Sequence, residues 1–141
     1  MPFDDEPTPY ESLPEPSPEL DRLARLAIGA AIEVHRHLGP GLPEQAYQIA
    51  MQIEMRTRGI PFTPQKIVDV FYKGIRVTRM KIDLVIGDRL VVELKSVEAL
   101  APIDRLQART YMRLLGEQLA LLINFNVPVL KDGIRRVVET S

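Results

Sequence analysis

Residues 81–95 read KIDLVIGDRLVVELK, two runs rich in Val, Ile and Leu on either side of Gly87-Asp88. A Gly-Asp pair between such runs is turn chemistry, so the stretch predicts two adjacent antiparallel strands. So apolar a hairpin belongs inside a sheet, yet it carries Asp83, Glu93 and Lys95. Strand side chains alternate faces, which points Glu93 and Lys95 one way and Val92 and Leu94 the other. A buried carboxylate or ammonium is costly unless it finds a partner, solvent or a metal. The plainest solution is an ion pair between neighbouring strands, with Lys95 reaching to water. On that reading the three charges form a structural network and nothing more.

Whether Asp83 joins Glu93 is a matter of register. Directly opposed residues share a face in an antiparallel pair. A two-residue loop pairs Ile86 with Arg89, and Asp83 then falls opposite Val92 on the wrong face. A three-residue loop pairs Ile86 with Leu90 and sets Asp83 against Glu93. Adjacent carboxylates repel unless one stays protonated or a cation lies between them. Oxygen ligands suit Mg²⁺ or Mn²⁺. A metal site here therefore requires an odd-length loop or a bulge.

Helical patterns precede the hairpin. Leu23, Ala27, Ala30, Ala31 and Val34 recur at helical spacing from Leu20 to near His37, before Gly39-Pro40-Gly41. A second helix is expected from Pro43-Glu44 through Ala46, Tyr47, Ala50, Ile53 and Glu54 to Gly59-Ile60-Pro61. Strand-like runs cover Ile67–Tyr72 and Ile75–Ile86, turning at Lys73-Gly74, and a third covers Leu90–Val97. Ala101-Pro102 opens a helix from about Ile103 to Leu115, with Gly116 just past its end. Leu119–Phe125 suits a strand buried on both faces. Asp132-Gly133 turns the chain into a short last strand, Ile134–Val138. This order predicts a mixed α/β domain around one sheet.

The length of 141 residues suits one domain, here residues 20–141. Residues 1–19 read as a disordered or extended tail, since six of the 12 prolines lie in the first 18 residues among acids. The first 21 residues hold seven of the 19 acids and none of the 18 Lys and Arg, leaving the rest a formal surplus of six positive charges. That surplus permits nucleic-acid binding without demanding it. The acidic tail is suited to lie over the chain's own basic face or to meet a basic partner. With no cysteine, disulfides and thiolate metal sites are excluded. No apolar run approaches the roughly 20 residues of a membrane span, and the start is unlike a signal peptide. The expectation is a cytoplasmic chain without membrane contact.

An acid on one strand followed by Glu-x-Lys on the next resembles the PD-(D/E)XK nuclease superfamily. More narrowly, Gly41-Leu42-Pro43-Glu44-Gln45-Ala46-Tyr47 is similar to the signature of the small GxxExxY family within it. The likeness extends to IEVHRHLGPG before that motif, RGIPF after it, YKG at 72–74, VELKSV at 92–97, LLINF at 121–125 and KDGIRR at 131–136. It runs from about Leu20 to Val138, and the ordered set carries it, since Glu-x-Lys alone is weakly specific.

The resemblance implies a restriction-endonuclease-like mixed central sheet flanked by helices. It implies hydrolysis of phosphodiester bonds, in DNA ahead of RNA, with Mg²⁺ or Mn²⁺. By position, Asp83 and Glu93 become metal ligands with the Leu94 carbonyl as a third oxygen. Lys95 orients or activates the attacking water and stabilises charge on the phosphate. Glu44 matches the superfamily's helical acid and helps to hold a metal. Gln107 and Tyr111, one helical turn apart on a shared face, resemble a fourth motif that positions the lysine or substrate. The pattern departs from a strict Pro-Asp, because Ile82 precedes Asp83, but the acid is what would bind metal. Nucleases that cut both strands often use two active sites, so a homodimer is a candidate assembly.

Blander readings accompany these. Glu44 in a first helical turn complements the helix dipole, and Gln107 with Tyr111 fits the border of an ordinary amphipathic helix. His35 and His37 lie about 200° apart around a helix and cannot share an ion. Gly39-Pro40-Gly41 lacks the Lys-Ser/Thr of a phosphate loop and reads as a helix–helix turn. Arg76, Arg79, Lys81, Arg105, Arg109 and Arg113 can track a phosphate backbone, or simply be solvated. The alternative function is a nucleic-acid-binding or protein-interaction module on the same fold, with catalysis weak or lost.

Overall fold

The computed structural model describes residues 17–138; most of the expected tail lies outside them, and Pro18 and Glu19 already belong to the first helix. The elements are α1 (Pro18–Leu38), α2 (Glu44–Thr57), β1 (Phe62–Tyr72), β2 (Ile75–Ile86), β3 (Leu90–Lys95), α3 (Pro102–Leu115), β4 (Leu119–Asn124) and β5 (Ile134–Val138), with a 3-10 turn at Leu130–Gly133. The sheet runs β1-β2-β3-β4-β5, antiparallel throughout except for the parallel β3–β4 pair that α3 connects. The expected α/β architecture is what forms, a five-stranded mixed sheet with three helices. Among the described residues no helix is long and apolar enough to cross a membrane.

Alternation along the central strands sorts the core into two layers. Leu84, Ile86, Leu90, Val92 and Leu94 pack under α1 and α2, while Val85, Val91, Ala120 and Leu122 pack under α3. Every residue of β4 is buried, as suits a strand covered on both faces. Each large aliphatic side chain so buried contributes about 1.5–3 kcal/mol. On α1 the Ser17 hydroxyl accepts the Leu20 N–H at 3.2 Å, a helix-capping bond. Ala24, Ala27, Ala30 and Ala31 are fully buried, and their small side chains let the helix approach the sheet.

The hairpin loop has three residues. Ile86 pairs with Leu90, Val85 with Val91 and Leu84 with Val92, leaving Gly87, Asp88 and Arg89 outside the ladder. Gly87 and Asp88 both take left-handed backbone, with φ of 59° and 60°. A Cβ on Gly87 would also stand 2.9 Å from the Leu23 methyls, so α1 presses on the turn itself. This is the odd-length loop that the paired acids require.

Three strand boundaries differ from the sequence expectation, the smallest at β4, which ends at Asn124, one residue before Phe125. β1 starts at Phe62, ahead of Ile67, and includes Pro64 paired with Leu84. Proline is tolerated because β1 is an edge strand whose outward N–H has no ladder partner to lose. β3 stops at Lys95, short of Val97, because Asn124 takes over the main chain there. Its side chain accepts the Val97 N–H at 3.0 Å and donates to the Val97 carbonyl at 2.9 Å.

Candidate active site

At Asp83 the β2–β3 ladder passes from backbone to side chains. The Asp83 N–H donates to Glu93 Oε2 at 2.9 Å, and the Leu94 N–H donates to Asp83 Oδ2 at 2.8 Å. Strand alternation breaks at this point. Ile82 joins Val85 and Val91 beneath α3, although one residue of alternation should separate their faces. The break sets the Asp83 carboxylate at the edge of β3. A residue's N–H and C=O leave an extended strand on the same side, so the Leu94 carbonyl faces that edge too.

Burial makes the pair electrostatically tense. Glu93 is only 3% exposed, in a layer that is otherwise apolar. Loss of solvation, followed by the charge of Asp83, pushes its carboxyl up to about 8. Asp83 is raised as well, mainly by burial, against the opposing pull of the Leu94 N–H, Lys95 and Lys81. Two such carboxylates ionise together only with a cation beside them.

Lys95 is the basic side chain that acts on both acids. Its Nζ lies 3.5 Å from Gln107 Oε1 and 3.7 Å from Asp104 Oδ1. The other Asp104 oxygen accepts the Ala101 N–H at 2.8 Å, which ties the start of α3 to the lysine. Tyr111, one turn beyond Gln107, donates its hydroxyl to the Lys81 carbonyl at 3.0 Å. Its hydroxyl, pushed up to about 12 by burial and by the charges of Glu93 and Asp83, stays a donor at ordinary pH.

Glu44 opens α2 and approaches from the other side. Its carboxyl is raised by burial and then by Asp83. Gln48 links the two acids, donating to Asp83 Oδ1 at 3.0 Å and lying 3.5 Å from Glu44 Oε1. Gln65 in turn donates to Gln48 Oε1 at 3.1 Å. The placement of Glu44 follows from Tyr47, whose ring stacks on Phe125 with centroids 4.4 Å apart. The Tyr47 hydroxyl donates to the Gly39 carbonyl at 2.6 Å and accepts the Leu42 N–H at 3.1 Å. Ser96, just past Lys95, donates to the Leu42 carbonyl at 2.6 Å. The α1–α2 turn is thus fastened both to the core and to the end of β3. Glu44, Gln48, Gln65 and Lys81 line an open groove of about 580 Å³ beside the acids.

A family model of the PD-(D/E)XK nuclease superfamily matches residues 21–137. The chain belongs to the PD-(D/E)XK nuclease superfamily. Its mixed five-stranded sheet with three helices is consistent with the superfamily's restriction-endonuclease-like fold. No curated protein and no solved structure gives a significant match.

Superfamily nucleases typically use divalent metals, and the donors here fit one in kind. Among the described residues no three His, Asp or Glu side chains cluster as ligands. Asp83, Glu93 and the Leu94 carbonyl form an oxygen-only set, the kind a hard cation completes with water. The structure therefore draws Asp83, Glu93, Leu94, Lys95 and Gln107 into one place, holds Glu44 one glutamine away, and turns the Tyr111 hydroxyl to the β2 backbone. Sequence reasoning missed Gln48, Gln65 and Asp104, and named Tyr47 as the tyrosine of the GxxExxY signature without giving it a role. Gln48 was within reach, since it lies one turn after Glu44 on the same helical face.

Proposed function

We propose that this PD-(D/E)XK superfamily chain is a Mg²⁺- or Mn²⁺-dependent nuclease of the GxxExxY type, cleaving DNA ahead of RNA. One observation carries the reading: a buried carboxylate, Glu93, and a half-buried one, Asp83, each accepting an N–H from the main chain of the facing strand, stand beside a lysine at the edge of a groove. An apolar pair would stabilise the sheet at least as well, so acids held here against their own repulsion call for a use.

In this reading Asp83, Glu93 and the Leu94 carbonyl hold the cation, with Glu44 assisting across Gln48. The bound cation supplies positive charge for the phosphate oxygens and for deprotonating water. Lys95 holds the attacking water and offsets the negative charge that grows on the phosphate. Gln107 and Asp104 keep the ammonium aimed. Hydrolysis forms a bond from water oxygen to phosphorus and breaks the bond to a sugar oxygen, which leaves with a proton. The test is cleavage of single- and double-stranded DNA and RNA with Mg²⁺ or Mn²⁺. Lys95→Ala should lose cleavage and keep binding; equal activity in that variant would assign the cleavage to a contaminant.

A second reading is a nucleic-acid-binding module that has lost catalysis. One observation favours it: Gln48 stands between Glu44 and Asp83, so the third acid does not meet the pair directly. Wild-type protein that binds nucleic acid without cutting it under any of these conditions would select this reading.

A further inference from the structure

The β2 register with β3 covers Leu84–Ile86, whereas its register with β1 runs the full length of both strands. Residues 66–81 therefore leave the sheet as a two-stranded arm. Such an arm gains little stability by itself, and this one displays apolar surface: Ile67 is 51%, Phe71 61% and Ile75 72% exposed. It also carries Lys66, Lys73, Arg76, Arg79 and Lys81 against the single acid Asp69.

The two faces of the arm differ. Val68 and Met80 turn inward to the layer under α3. Opposite them, Ile67 faces Lys81, Asp69 faces Arg79 and Phe71 faces Arg76. Asp69 lies 2.9 Å from Arg79 and 3.9 Å from Arg76, which places these side chains together. Lys81 also lines the groove beside Asp83, so this basic face continues the groove outward. From Arg76 to Lys81 a strand covers about 16 Å, near five base steps of rise. A second copy of the arm would set like charge on like charge. A polyphosphate backbone complements it, and a two-stranded ribbon matches the width of a duplex major groove.

We propose that the β1–β2 arm is a nucleic-acid docking element, in which Arg76, Arg79 and Lys81 follow a phosphate backbone into the groove and Phe71 packs against a base. The arm's substrate rests on the nuclease reading of the site, so binding is measured apart from cleavage. The full chain is titrated in EDTA against labelled single-stranded and duplex DNA, from about 50 to 200 mM salt. The exposed double variant Arg76→Ala/Arg79→Ala should lower the salt slope by about two. Phe71→Ala should weaken binding about tenfold at every salt concentration. Loss on the single strand alone assigns Phe71 to unpaired bases; loss on both probes assigns it to a groove.

Unchanged affinity and slope in the double variant would overturn the proposal, as would wild-type protein that binds neither probe. So would a wild-type dimer that Phe71→Ala dissociates while DNA binding persists, since the arm would then be a self-association surface. Binding through the arm without metal-dependent cleavage removes the nuclease reading and leaves the arm. Cleavage with binding unaltered in the variants removes the arm alone.

Discussion

Asp83 and Glu93 secure each other through the main chain: the Asp83 N–H donates to the Glu93 carboxylate at 2.9 Å, and the Asp83 carboxylate accepts the Leu94 N–H at 2.8 Å. Each acid thus replaces a ladder bond that the backbone would otherwise make. Neither can move off without leaving a buried N–H unpaired, a loss of about 1–3 kcal/mol.

Stability without metal should therefore fall as pH rises. The Glu93 carboxyl goes from an ordinary 4.5 to about 8 on folding, so between those values the folded chain holds a proton that the unfolded chain has released. The stabilisation is fully present below 4.5 and lost as pH climbs to about 8. Asp83, raised in the same direction, adds to the trend. Melting temperatures in EDTA across this range should decline for wild type and much less for Glu93→Gln. A flat wild-type profile would contradict the burial of the pair.

Divalent cations should reverse that decline. Mg²⁺ or Mn²⁺ at about 100 times its Kd raises stability by about 2.7 kcal/mol. Differential scanning fluorimetry at pH above 8 should show the shift in wild type, with Asp83→Asn and Glu93→Gln abolishing it. Glu44→Gln should weaken it only in part, because Gln48 separates that acid from Asp83.

Tyr47→Phe should cost about 1 kcal/mol by deleting the hydroxyl that bridges Gly39 and Leu42. The ring stack on Phe125 survives this change. Denaturant unfolding measures the cost. Cleavage should fall by more than the lost stability explains, because the α1–α2 turn that presents Glu44 loosens.

Gly87→Ala forces a side chain into left-handed backbone and against Leu23. Destabilisation of about 1–2 kcal/mol is expected from the backbone alone. Leu23→Ala in the same chain should recover part of any loss in excess of that, read as a double-mutant cycle.

Much of this is legible in the sequence. The order of elements followed from helical and strand periodicity, and alternation reduced the acid pair to a choice between two loop lengths. Pro64 hid the start of β1, because nothing local announces that a strand will lie at an edge. Tyr47 was legible as a position of α2 and as the tyrosine of the GxxExxY signature, but its hydroxyl partners belong to a turn outside the helix. Asp104 stands in the first turn of α3 and carries no signal of its own in the sequence; only the crossover of α3 brings it back to Lys95. Residues whose roles depend on neighbours across the fold were the ones that periodicity could not reveal.

The ten-residue separation of Asp83 and Glu93 contrasts with the 35 residues between Gln48 and Asp83. Closing the short loop needs little chain entropy, so the hairpin can bring its acids together early in folding. Glu44 and Gln48 join the pair only through the packing of α2 on the sheet, a contact between segments farther apart in the chain. A chain caught halfway, newly made or partly unfolded, would carry the paired carboxylates without the third acid. On the proposed nuclease function, such a molecule would lack part of its metal-holding set and would spare the polynucleotide around it.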